Sequence, residues 1–159
     1  MTTTTTTTPA TRYLAPTAGD QWFNRLARRL TRMGISLWGS RELRVVGRRS
    51  GQVRTTVVNL LEVDGQRYLV APRGTTEWVR NLRAAGTGEL AVGRRTERFR
   101  ADELDDADKV EVLRAYLVRW AFEVGRFFEG VDASSTDEEL AAVAPGFPVF
   151  RLLATDVSA

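Results

Sequence analysis

The sequence predicts an α+β fold, mainly β: a small antiparallel barrel with helices on its outside. Three observations carry this. Short strands rich in β-branched residues outnumber the helices, an Asp-Gly turn joins two of them as a hairpin, and no βαβ alternation repeats, which disfavours a doubly wound sheet. At 159 residues the chain has the length of one domain and can bury a core without disulfide or metal staples. The expected organisation is a disordered tail over residues 1–19 and a single cofactor-binding domain over 20–157.

The elements follow in order. Residues 1–19 hold a run of Thr, Pro9, Pro16 and small residues, with too little apolar surface to offset ordering entropy. Asp20 is a plausible N-cap for a helix to about Met33, whose Trp22, Phe23, Leu26, Ala27, Leu30 and Met33 form one stripe. Arg25, Arg28, Arg29 and Arg32 lie largely off that stripe, so the helix either packs on the domain with its arginines solvated or rests on an anionic membrane surface. A short strand is expected over Glu42–Val46 and a long one over Val53–Val63. Asp64-Gly65 then turns the chain into a partner strand, Gln66–Ala71. Pro72 to Thr75 breaks the strand. Thr75 or Thr76 is placed to cap a short helix, Glu77–Ala84, ending near Gly86. Strands follow at Glu89–Val92 and Thr96–Ala101. A long helix is expected over about Ala107–Phe128, with its early acids at the positive end of the helix dipole. Thr136 and Glu139 form a capping box for a second helix to about Val143, and Pro148–Leu153 reads as the last strand.

Composition excludes several chemistries. There is no Cys and no His. Disulfides, Cys/His zinc sites, haem ligation through either residue and His-based triads therefore drop out. No apolar run approaches the roughly 20 residues that span a bilayer, and no segment has the pattern of a signal peptide, so a cytoplasmic protein is expected, with membrane association through residues 20–33 as the variant. The net charge of +3 hides an asymmetry. Between Asp20 and Leu60 there are nine arginines against two acids, whereas Asp102 to Glu139 holds twelve acids against four bases. Nucleic-acid binding by the basic half is disfavoured, because its aromatics are not interleaved with the arginines as a stacking surface requires.

The basic charge is densest at Val45–Asn59. A strand leads into Gly47-Arg48-Arg49-Ser50-Gly51, and Arg54 lies just inside the next strand. Two glycines allow positive φ or close backbone approach, while three guanidiniums and a hydroxyl converge on a small volume. Arg offers a rigid fork of donors that matches phosphate oxygens, so an anion site is one reading; a solvated turn whose arginines pair with the acidic helices is the other. A second candidate is Ala71–Arg83. Arg73 ends a strand, and Trp78 and Asn81 project from one helix face three residues apart. They suit a planar heterocycle, or else Trp78 plugs the barrel and Asn81 caps it. The aromatics Trp120, Phe122, Phe127, Phe128, Phe147 and Phe150 read mainly as core.

Together, Gly-Arg-Arg-Ser-Gly-Gln-Val-Arg-Thr-Thr, Asp-Gly-x-x-Tyr-Leu-Val-Ala, Trp-x-x-Asn-Leu-Arg-Ala and a closing Pro-Val-Phe-Arg-Leu resemble the deazaflavin (F420)-dependent nitroreductase and quinone reductase family over roughly residues 35–153. The resemblance implies a split β-barrel that binds coenzyme F420, a 5-deazaflavin with a phosphate and an acidic glutamate tail. It implies that Arg48, Arg49, Ser50, Arg54 and Arg73 hold the phosphate and tail, that Trp78 and Asn81 lie by the cofactor, and that Thr56 and Val57 flank the ring through their backbone. Two departures concern the ring and substrate side. Pro72 and Arg73 stand where the family often has Ser-Lys, and Val118–Gly130 has no clear match to the substrate-side tyrosines of the nitroreductases.

The expected activity is an F420H2-dependent reductase that passes hydride to an activated C=C, a quinone or a nitro compound. Such chemistry needs position more than an acid–base side chain. No catalytic residue is assigned, and no metal is expected; Tyr68 and Tyr116 are the only tyrosines outside the tail. The alternatives are an FMN-binding split-barrel oxidoreductase and a non-catalytic carrier of F420 or lipid. A small organic acceptor is the expected partner, and a homodimer follows by fold analogy alone.

Overall fold

The computed structural model describes residues 13–15, 25 and 39–155. Apart from Arg25, the expected helix from Asp20 to Met33 lies outside the described residues, as does most of the expected tail.

Six strands form a closed antiparallel barrel in the order β1-β2-β3-β6-β5-β4, with β4 returning to β1. β1 (Ser40–Val46) and β2 (Val53–Val63) run in register from Ser40 opposite Asn59 to Val46 opposite Val53. β2 turns through Asp64 and Gly65, at φ 50 and 75, into β3 (Gln66–Val70). Positive φ at both central residues is the turn that matches strand twist, which is why Asp-Gly stands there. β4 (Thr87–Val92) and β5 (Arg95–Glu103) form the second hairpin, and β6 (Val149–Ala154) closes the barrel between β3 and β5. The expected strand at Thr96–Ala101 thus pairs with β4 over Thr96–Arg100 and with β6 from Phe99 on.

Period-two alternation sends the apolar residues to two cores. Leu43, Val45, Val58, Leu69, Leu90, Phe99, Phe150 and Leu152 fill the barrel interior. Leu61, Val70 and Val149 point outward and are covered by α2 (Val110–Val124) and α3 (Asp137–Val143) through Leu113, Tyr116, Leu117, Trp120 and Leu140. α1 (Glu77–Ala85) drops Val79 and Leu82 into the inner core, both essentially without exposure, and so plugs one end of the barrel. It ends where Gly86 takes φ 70 and donates its N–H to Leu82. Burying a side chain of this kind stabilises by about 1.5–3 kcal/mol.

The long helix expected over Ala107–Phe128 is corrected. A 3-10 turn (Asp106–Asp108) precedes α2, Trp120 leaves helical geometry at φ −126 and ψ 17, and a second 3-10 turn (Gly125–Phe127) follows. In a straight helix Phe128 would point roughly 120° away from Tyr116. The break brings Phe128 round to stack on Phe147, with centroids 4.0 Å apart, while Tyr116 packs on Trp120 at 5.1 Å. Packing decides the backbone there. The capping box of α3 is present in both halves: Thr136 accepts from the Glu139 amide and Glu139 accepts from the Thr136 amide. The buried Lys109, the chain's sole lysine, donates to Asp106 (2.7 Å) and to the Ala144 carbonyl (3.2 Å), tying the start of α2 to the end of α3.

Candidate cofactor site

The loop between β1 and β2 is built by its own backbone. Gly47 donates to Gln52 O at 2.7 Å, Gly51 donates to Gly47 O at 2.9 Å, and Gln52 N–H donates to Ser50 Oγ at 3.2 Å. A Cβ on Gly47 would stand 2.9 Å from Ser50 Oγ and 3.1 Å from Gln52 O, so any larger residue there would have to shift Ser50 and press on the closing backbone bond. Ser50 accepts within the loop and keeps its proton to donate elsewhere.

A second element fixes the loop from outside. Asn81, 5% exposed on α1, accepts from the Arg48 backbone N–H at 3.2 Å and from Arg48 Nη1 at 2.8 Å. The same Nη1 donates to Glu77 Oε2 at 2.9 Å. Both Nη1 hydrogens are thereby used, and the Nε and Nη2 edge of the fork has no hydrogen bond to a described residue. The hydrogen bond from Arg48 holds the Glu77 carboxyl below the usual carboxylate range, and the charges of Arg48, Arg80 and Arg49 act in the same direction.

Arg49 and Arg54 are exposed and make no ion pair with a described residue. Arg54 sits opposite Val45, and its Cγ runs beside Gly47. Arg48, Arg49, Ser50, Arg54 and Asn81 are therefore assembled at one corner, where β1 and β2 meet α1. The turn is neither fully neutralised by acidic partners nor free of them. Among the described residues its carboxylate partner, Glu77, comes from the short helix rather than from the acidic segment beyond Asp102.

Beside this corner the barrel is split. β3 pairs with β2 only over Leu60–Val63, so among the described residues Val53–Asn59 are paired on the β1 side alone. Thr56 lies opposite Leu43 on the inward face and Val57 opposite Glu42 on the outward one, both half-buried on this one-sided stretch. Trp78 is half-buried as well, packed on the inner core with its ring 5.9 Å from that of Phe150. Thr76 stands at the N-cap of α1 but makes no capping bond, and its hydroxyl oxygen is buried without a partner.

Arg73 is engaged elsewhere. Its guanidinium lies 4.7 Å over the Phe127 ring and donates to Leu14 O at 3.4 Å, while its carbonyl accepts from Leu14 N at 2.9 Å. Tyr13 bridges Gly74. Residues 13–15 thus run along the segment after β3. Among the aromatics, Trp120, Phe128, Phe147 and Phe150 are core, Phe127 is half-buried and Phe122 is exposed. Tyr116 is buried in the outer core and Tyr68 packs against it. Glu77 was missed by the sequence reading. Its position four residues before Asn81, on one helix face, was the available signal. Among the described residues no group of side chains could hold a metal ion.

A family model described as F420H(2)-dependent quinone reductase matches residues 22–139. The chain belongs to that family. It is accordingly a coenzyme F420-dependent oxidoreductase with a split-barrel fold. Among solved structures it is similar to Atu2129 of Agrobacterium tumefaciens str. C58, a protein of unknown function, at 18% identity and a TM-score of 0.55. The match covers 89% of this chain and 57% of that one, so the chain spans little more than half the length of Atu2129. A protein described as a domain-swapped dimer matches at 16% identity and a TM-score of 0.53, over 86% of this chain and 100% of that one. An F420-H2 dependent reductase, FDR-A, matches at 17% identity and a TM-score of 0.49, over 72% and 94%. The likeness to Atu2129 and to the domain-swapped dimer establishes the fold alone. No curated relative matches the chain. Among the described residues no helix is long and apolar enough to cross a membrane.

Proposed function

We propose that this family member reduces a small organic acceptor, a quinone first and a nitro compound or activated C=C by extension, with reduced F420 as the donor. The observation that carries the reading is the corner at Gly47–Arg54. Two arginines with no ion pair to a described residue, a third whose Nε and Nη2 edge has no hydrogen bond to one, and a serine proton to donate stand on a loop that Asn81 holds in place. That donor set fits an anionic phosphate and glutamate tail. In this reading Arg48, Arg49, Ser50 and Arg54 hold the anionic part. Trp78 offers an apolar face to a flat ring, and the one-sided stretch of β2 at Thr56 and Val57 offers backbone groups beside it. Asn81 acts through Arg48 rather than by touching the ring. Arg73 shapes the far side, where Phe127 and residues 13–15 meet it.

When bound, the reduced deazaflavin supplies a hydride. The chain contributes binding, orientation and exclusion of water. Tyr116 is buried in the outer core and Tyr68 packs on that core, so neither is assigned as a proton donor.

The test is a titration of the purified protein with F420 and, in parallel, with FMN, followed by addition of F420H2 with a quinone or a nitroaromatic. Binding of F420 with loss of the reduced deazaflavin signal on adding quinone is the expected result. Binding of FMN in place of F420 would make this a flavoprotein. Binding of F420 without turnover by any acceptor would make it a carrier. A homodimer, proposed from the fold, is checked by the mass of the particle in solution.

A further inference from the structure

Among the described residues, one carboxylate stands beside the three arginines of this corner. Glu77 opens α1 with its side chain 68% exposed. It contacts Arg48 at 2.9 Å and Arg80 at 3.5 Å, and lies within the field of Arg49. Its role as a strut for Arg48 is duplicated, because Asn81 holds the same nitrogen at 2.8 Å and the same residue's backbone N–H at 3.2 Å. Asn81 is buried and neutral and does this without opposing an incoming anion. A purely structural need would be met by Asn81 alone. What Glu77 adds is negative charge at the mouth of an anion site, and that charge repels a ligand in proportion to the ligand's own charge.

We propose that Glu77 is a specificity-determining residue that tempers the anion site, setting an upper limit on the charge of the tail it accepts. This rests on the reading of Gly47–Arg54 as the site of the cofactor's anionic part. A single carboxylate subtracts little from a ligand with few charges and more from each additional glutamate. The site then favours short-tailed cofactor and disfavours polyanions such as nucleic acid or polyphosphate, which a loop of unopposed arginines would otherwise attract. The opposite role, Glu77 as the element that pre-orients Arg48, predicts the opposite sign of effect, so the two are separable.

The experiment is Glu77→Gln, which keeps the size and a hydrogen-bond acceptor for Arg48 while removing the charge. Affinity is measured for F420 with short and with long glutamate tails, for the deazaflavin riboside that lacks phosphate and tail, and for inorganic pyrophosphate. The expected result is tighter binding of short-tailed F420 by roughly two- to fivefold, the scale of one exposed ion pair. The gain should be larger for the long tail, absent for the riboside, and lost at about 0.5 M salt, where charges are screened within a few ångströms. Weaker binding of F420 by Glu77→Gln, or an equal change for the riboside, overturns the proposal. Should neither protein bind F420 while pyrophosphate still binds more tightly to Glu77→Gln, the cofactor assignment falls and the tempering role stands. Unchanged affinity for every anion removes the tempering role and leaves the cofactor assignment intact.

Discussion

The barrel carries two arginine clusters, at the two ends of β1. At its start, Arg67 of β3 forms a bidentate pair with Glu97 of β5 at 2.7 and 2.5 Å, and Arg41 stands near both. At its end, roughly 20 Å further along the strand, lie Arg48, Arg49 and Arg54. The first cluster is solved within the protein. Arg67 holds the Glu97 carboxyl below its usual range, and Glu97 in turn raises the Arg67 guanidinium. Arg41 is pushed down by its burial first and by Arg67 second, and donates to the Ser40 carbonyl at 2.9 Å. The second cluster leaves two guanidiniums without a partner among the described residues. Charge of one sign thus marks a ligand site only where the fold withholds the counter-charge. Arginine content alone, two against three, would hardly separate the two ends.

Three variants sharpen this contrast, beginning with the largest expected effect. Replacing Arg49 and Arg54 together with Ala should weaken F420 binding by roughly 3–6 kcal/mol, two charge-assisted bonds at ~1.5–3 each, or more than a hundredfold in Kd. Thermal stability should hardly change, because both side chains are exposed. Fluorescence titration and a thermal melt check the two halves; unaltered affinity would sink the assignment of this corner. Asn81→Leu should affect both properties at once. It strands the Arg48 amide and loosens the loop, with a stability loss of about 1–3 kcal/mol and a measurable drop in F420 affinity. A variant that loses stability yet binds as the parent does would show that the loop needs no outside anchor.

Arg67→Met addresses the other end and should do the least. A partly exposed pair contributes about 1 kcal/mol or less, and F420 affinity should stay as it is. Acid provides the sign. The Glu97 carboxyl is depressed in the folded state, so its contribution is present above the unfolded value of about 4.3 and fades as pH falls through the lower folded value. Melts from pH 6 to pH 3 should show that extra loss in the parent and a smaller one in Arg67→Met. Equal slopes would mean the pair contributes nothing to folding.

The parts of the fold legible in the sequence were those decided locally. Asp64-Gly65 fixed its hairpin because few other dipeptides accept two positive φ values. The capping box at Thr136 and Glu139 was readable for the same reason, since its partners are three residues apart. The break at Trp120 was not. Its apolar spacing continues helically, and the packing around the kink involves residues far away in sequence: Gly39, where a Cβ would stand 3.2 Å from the indole, and the Phe128–Phe147 stack beyond. The site divides likewise. The bases of the loop stood out as a run, but the commitment of Arg48 to Glu77 and Asn81, 29 and 33 residues on, is a tertiary fact. So is the engagement of Arg73 with Phe127 and Leu14.

β2 can also be regarded as a beam. Over Leu60–Val63 it is clamped from both sides, and over Val53–Asn59 it projects past the clamp with support from β1 alone. A projecting beam is useful only if it does not bend. Here the overhang reads Val53-Arg54-Thr55-Thr56-Val57-Val58-Asn59, and all but Arg54 and Asn59 are β-branched, the side chains stiffest about their first torsion. The same composition that made the segment recognisable as a strand leaves the side chains of this one-sided stretch few rotamers to choose from.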